Sequence, residues 1–205
     1  MDWDDYDDYY GYDDGDDWYN YDDYDDYDDD DDDDDEPKLT TYVTNDGITV
    51  TVVGEGNHQV WLSSGAYGTA QNINANPSWG YNVLVGNYAP NLIVSGAGQA
   101  NLWGGQDYAN DVLIGGTGYD TFLCGKNEGS DAVGNASAFD SVYLYDATLN
   151  DIAYAVSDGR GTVALQFRSG NVLSVQGSDF VSAAFVFADG SSYRYNNTTQ
   201  SWQGA

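Results

Sequence analysis

Seven times between residues 82 and 142 the chain repeats one short pattern: asparagine or aspartate, any residue, then an apolar residue. The occurrences are Asn82-Val83-Leu84, Asn91-Leu92-Ile93, Asn101-Leu102-Trp103, Asp111-Val112-Leu113, Asp120-Thr121-Phe122, Asp131-Ala132-Val133 and Asp140-Ser141-Val142. They follow one another at intervals of 9, 10, 10, 9, 11 and 9 residues. A near-constant short period constrains the fold strongly, because one repeat cannot bury its apolar residue alone and only stacking makes a core. The period predicts a two-sided roll. Each repeat supplies a tight turn and one short strand, and two repeats complete a coil of about 18–20 residues with one strand in each of two parallel sheets. Leu84, Ile93, Trp103, Leu113, Phe122 and Val133 are expected to point inward.

The rest of the body agrees with an all-β chain. Of the 25 glycines, 23 lie beyond residue 37. Short apolar runs there are broken by Gly, Asn and Asp, and no stretch holds a 3.6-residue apolar period. Residues 38–81 read as N-terminal strands and capping rungs, with Asn45-Asp46-Gly47 a hairpin signal between β-branched runs. Residues 82–140 form the repeat ladder. Residues 141–205 read as an antiparallel meander, with turns at Ser157-Asp158-Gly159, Ser169-Gly170-Asn171 and Ala188-Asp189-Gly190. Such a module would cover an otherwise open solenoid end.

Residues 1–37 are different in kind. The first 36 carry 22 of the chain's 35 acidic side chains and none of its 5 Lys and Arg. Low-complexity sequence of this composition is expected to stay disordered without cations. The body keeps 13 acids and all five bases, a net charge near −8. Nucleic-acid partners are not expected, since phosphate recognition needs a basic surface. Membrane insertion is not expected either, because no run of about 18 apolar residues exists. Metal ions or basic proteins suit this charge. The N-terminus shows no charged segment followed by an apolar one, so a conventional signal peptide is not expected, and export would need another route or a longer chain.

The turns carry the candidate chemistry. Stacked coils place equivalent turn residues about 4.8 Å apart. Asparagines tolerate this, but aspartates at that spacing repel. The early rungs carry Asn82, Asn91 and Asn101, the later ones Asp111, Asp120, Asp131 and Asp140. Asp111 is expected to stack with Asp131, and Asp120 with Asp140 or Asn101. A hard divalent cation would relieve the later stacks, and calcium, with its flexible oxygen shell, suits them best. Asp140 also reads as a simple strand-start cap.

The stretch GGTGYDTFL, residues 115–123, resembles the nonapeptide G-G-x-G-x-D-x-U-x (U, a large apolar residue) of haemolysin-type, or repeats-in-toxin (RTX), calcium-binding β-rolls. Gly115, Gly116, Gly118, Asp120 and Phe122 match it. GGQDYANDVLI, 104–114, is similar with two residues inserted before Asp111, and CGKNEGSDAV, 124–133, is similar to degenerate closing repeats. The resemblance implies calcium held by turn carbonyls and carboxylates at Gly116, Gly118 and Asp120, and then at Gly105, Asp107, Asp111 and Asp131. It also implies release to the cell exterior, with type I secretion as a route.

No catalytic constellation stands out. His58 is the only histidine and is expected at the surface or in a strand, and Cys124 reads as a small core residue. The expected protein is therefore a non-catalytic, secreted or cell-surface calcium-binding β-roll with a structural role, assembling as a homo-oligomer or polymer into a filament or matrix. Two other readings are an export and folding module of a larger secreted enzyme or toxin, and a carbohydrate-binding adhesin using Trp61, Trp79, Trp103 or Tyr108.

Overall fold

Two columns of apolar side chains, one residue per coil, form the core. Val60, Leu84, Leu102, Phe122, Val142 and Phe185 follow one another in register in one sheet. Ile73, Ile93, Leu113, Val133 and Val175 do so in the other. All are buried, and each such side chain contributes about 1.5–3 kcal/mol by leaving water.

The structure is a computed structural model that describes residues 40–43, 49–54, 56–62, 71–76, 78–177 and 183–205, within the unit Glu36–Ala205. The expectation of a disordered acidic tail lies outside the described residues. The fold is all-β, a parallel β-solenoid followed by antiparallel strands. β1 (Thr40–Val43) and β2 (Thr49–Val53) are the antiparallel hairpin expected around Asn45-Asp46-Gly47, whose turn is not among the described residues.

Then come β3 (His58–Trp61), β4 (Gln71–Asn74), β5 (Asn82–Val85), β6 (Asn91–Val94), β7 (Ala100–Trp103), β8 (Val112–Ile114), β9 (Asp120–Cys124), β10 (Ala132–Ala136) and β11 (Ser141–Leu144). From β2 to β11 they alternate between the sheets, β2, β4, β6, β8 and β10 in one and β3, β5, β7, β9 and β11 in the other, each paired in parallel with its neighbours. β4 to β11 make about four regular turns.

The chain then runs through β12 (Ile152–Ser157), β13 (Thr162–Phe167) and β14 (Val172–Gly177), and through β15 (Ala184–Phe187), β16 (Ser192–Asn196) and β17 (Ser201–Gly204). Within each trio the strands pair antiparallel, across the three turns read from the sequence and a fourth at 197–200 that was not. The two trios are not a detached module. β14 pairs in parallel with β10, and β15 with β11, so each sheet gains one more parallel strand before it turns antiparallel. Trp202 packs edge-on against Phe185, Phe187, Tyr193 and Tyr195, closing one core column with aromatic rings.

One repeat is out of step with the sequence pattern. Ala100, not Asn101, pairs with Asn82 and Asp120, and Leu102 sits between Leu84 and Phe122. Trp103 is therefore not a core residue: Leu102 is fully buried, while Trp103 and Asn101 are half-buried on the other face of the strand. Side chains alternate along a strand, so a shift of one residue exchanges the faces. The repeat positions become 82, 91, 100, 111, 120, 131 and 140.

His58 does lie in a strand but not at the surface. It pairs with Asn82 and is fully buried. Cys124 is a buried free thiol in the core. Among the described residues no helix is long and apolar enough to cross a membrane.

Candidate functional site

The turns form two stacked columns, one on each edge between the sheets. The first holds residues 86–91, 104–111 and 125–131. The second holds 95–100, 115–120 and 137–140.

In both columns the aspartates at the ladder positions follow one rule. One oxygen accepts the backbone N–H of the equivalent residue twenty positions earlier. Asp111 Oδ1 takes Asn91 N–H at 2.8 Å, Asp131 Oδ1 takes Asp111 N–H at 2.9 Å, and Asp140 Oδ1 takes Asp120 N–H at 2.7 Å. In the second column the other oxygen clamps its own turn: Gly116 N–H donates to Asp120 Oδ2 at 2.7 Å, and Ser137 N–H to Asp140 Oδ2 at 2.6 Å. Stacked carboxylates therefore face amide donors rather than one another, and charge-assisted bonds of this type are the stronger ones.

Carboxylates facing one another at this spacing would repel, and the amide donors between them are how the column avoids it. Burial still costs. It is the main cause lifting Asp120 and Asp131 to about 6 and Asp111 to about 7, with neighbouring carboxylates adding to it.

At the best nonapeptide match several acceptors already have donors within the protein. Asp120 accepts from Gly116 N–H, from Ser95 Oγ at 3.3 Å and from the Ala100 backbone. The carbonyls of Gly115 and Gly116 are also taken: the Asn135 side-chain amide donates to both, at 2.9 and 3.0 Å. Gly116 and Gly118 serve close packing. A Cβ on Gly116 would lie 1.5 Å from the Gly96 carbonyl oxygen, and one on Gly118 2.2 Å from that of Gly98. Asn101 is not in the column at all, and its amide donates to the Tyr81 hydroxyl at 2.6 Å. Asp120 thus stacks on Asp140 and, on the other side, on Ala100.

The turn 104–111 is different. Asp111 is 2 % exposed, yet its Oδ2 has no hydrogen-bond partner, and neither does the buried Oδ2 of Asp107. Both oxygens lie along Gly104 and Gly105. Asp111 Oδ2 is 2.0 Å from where a Cβ on Gly104 would be, and Asp107 Oδ2 is 3.2 Å from that of Gly105, whose φ of +129° only glycine adopts readily. Asp107 Oδ1 accepts the Ala109 N–H, and burial raises the Asp107 carboxyl as well. The charges of Asp107 and Asp131 both raise Asp111. Orphaned buried carboxylate oxygens are costly, and this pair suits a hard cation that takes oxygen ligands. Among the described residues no three His, Cys, Asp or Glu side chains converge as a ready metal cluster, so backbone carbonyls and water would have to complete the shell.

Glu128, three residues before Asp131, is a buried acid the pattern did not single out. It is 3 % exposed and accepts from Trp103 Nε1 at 3.2 Å and from the Tyr145 hydroxyl. Burial pushes its carboxyl up to about 8. No protein-family model matches the chain, and no curated protein matches it.

Proposed function

We propose that this chain is a non-catalytic calcium-binding β-solenoid with an extracellular structural role, and that its cation site is the turn 104–111 rather than the nonapeptide turn 115–120. The observation that carries this reading is the pair of buried, unpartnered oxygens, Asp111 Oδ2 and Asp107 Oδ2. Asp107 and Asp111 would hold the ion, with backbone carbonyls and water completing its shell. Calcium supplies positive charge that offsets the desolvation of these carboxylates, so binding is coupled to folding. Such coupling suits a chain that folds where calcium is abundant, outside the cell.

Self-association is part of the same reading. β3 ends its sheet among the described residues, and an unpaired strand edge is a template for another strand. The test is circular dichroism and thermal unfolding of the full chain in calcium and in chelator. The expected result is a higher Tm with calcium, and an unchanged Tm contradicts the reading.

A further inference from the structure

The first turn column also forms a groove. Two cavities adjoin there and share Gln106. One, about 270 Å³, lies against Leu62, Tyr88 and Trp103. The other, about 170 Å³, lies between Asp107, Tyr108, Asn127, Glu128 and Asp146. Trp103 links them, because its ring lines the first while its indole N–H holds Glu128 in the second. Tyr145 packs edge-on to Trp103 at 6.1 Å and donates to the same Glu128 oxygen. From Leu62, at the end of β3, to Asp146, just past β11, the lining spans four strand-to-strand steps, roughly 19 Å at about 4.8 Å each.

The lining alternates flat aromatic faces with single polar groups. Tyr88 and Tyr108 are 58 % and 87 % exposed, large rings left open on a turn edge. The acids do not form a cation trap open to the groove. Asp146 accepts Lys126 N–H at 2.7 Å and the Asn127 amide at 3.5 Å, Asp107 Oδ1 accepts Ala109 N–H while its unpartnered Oδ2 is buried against Gly105, and one Glu128 oxygen takes two side-chain donors.

What remains for a ligand is a row of scattered single acceptors, with amide donors at Gln106 and Asn127. A guanidinium or ammonium prefers a free, convergent carboxylate. A chain of hydroxyls with apolar CH faces matches scattered acceptors, amides and open aromatic rings. We propose that this groove binds a neutral oligosaccharide lying along the stack of turns. The groove shares only Asp107 with the proposed ligands of the cation, and the inference rests on its open rings and amides.

Calorimetric titration of the full chain, in calcium, with cellohexaose, xylohexaose and chitohexaose tests it. At least one hexaose is expected to bind with a Kd of about 1 mM or tighter. Tyr108→Ala should weaken that binding about tenfold, whereas Tyr154→Ala, which removes an exposed ring on β12, should leave it unchanged. Absence of binding by all three hexaoses to protein with an intact thermal transition overturns the proposal. Equal weakening by both variants, or Tyr108-dependent binding of a lysine-rich peptide where no hexaose binds, also overturns it.

Discussion

The Asn135 side-chain amide donates to the carbonyl oxygens of both Gly115 and Gly116, at 2.9 and 3.0 Å, and so bridges two successive carbonyls of the nonapeptide turn. Asn135 reaches them from the following coil and holds a left-handed backbone, φ 57°, which asparagine tolerates better than most residues. Asn135→Ala loses both bonds and should destabilise the body by about 1–3 kcal/mol. Asn135→Asp places a carboxylate against two carbonyls and should destabilise more in chelator, with recovery in calcium. Urea unfolding with and without calcium reads both effects. Equal loss in both conditions for the Asp variant would contradict the role given to this amide.

The register of β7 is tested by neighbouring substitutions. Leu102 lies in the core column between Leu84 and Phe122, so Leu102→Ala should cost about 2–5 kcal/mol. Asn101→Ala, on the outer face, should cost under about 1 kcal/mol. A reversed order in denaturant unfolding would restore the register read from the sequence pattern.

Close packing of the turns predicts a contrast between glycines. Gly116→Ala drives a methyl into the Gly96 carbonyl and should lower stability by roughly 2 kcal/mol or more. Gly159 has positive φ but nothing within 4 Å of a Cβ, so Gly159→Ala should cost only about 1 kcal/mol of backbone strain. Differential scanning calorimetry of the two variants checks the order.

Stability of the calcium-free protein should fall as pH rises above about 4. Burial raises Asp120 and Asp131 to about 6, Asp111 to about 7 and Glu128 to about 8, so the folded state binds more protons than the unfolded state through that range. The protonated forms favour the fold at acid pH, and that advantage fades as pH passes through the folded values. Loss of a few kcal/mol, roughly, between pH 5 and pH 8.5 is expected in chelator. A Tm that rises with pH over this interval would contradict the burial argument.

Much of the fold could be read from residue order because the ladder repeats in both spacing and chemistry. Apolar residues such as Phe122 and Leu113, and turns such as Asp189-Gly190, each point one way. Three features could not be read there. Asn101-Leu102-Trp103 satisfies the pattern as well as Ala100-Asn101-Leu102 does, and only the neighbouring strands decide between them. β14 and β15 alternate as any strand does, and alternation does not distinguish parallel from antiparallel partners. Asn135 follows Gly134 inside strand β10 and acts on a turn twenty residues away, where only stacking brings it.

Bound calcium in the full chain and in two variants tests the central claim most directly. Asn already fills the ladder position at residues 82 and 91, so Asp111→Asn and Asp120→Asn should both fold. Elemental analysis after dialysis against calcium should find bound ion in the parent and in Asp120→Asn, and its loss in Asp111→Asn. Calcium retained by Asp111→Asn and lost by Asp120→Asn, or absent from all three, would contradict the account.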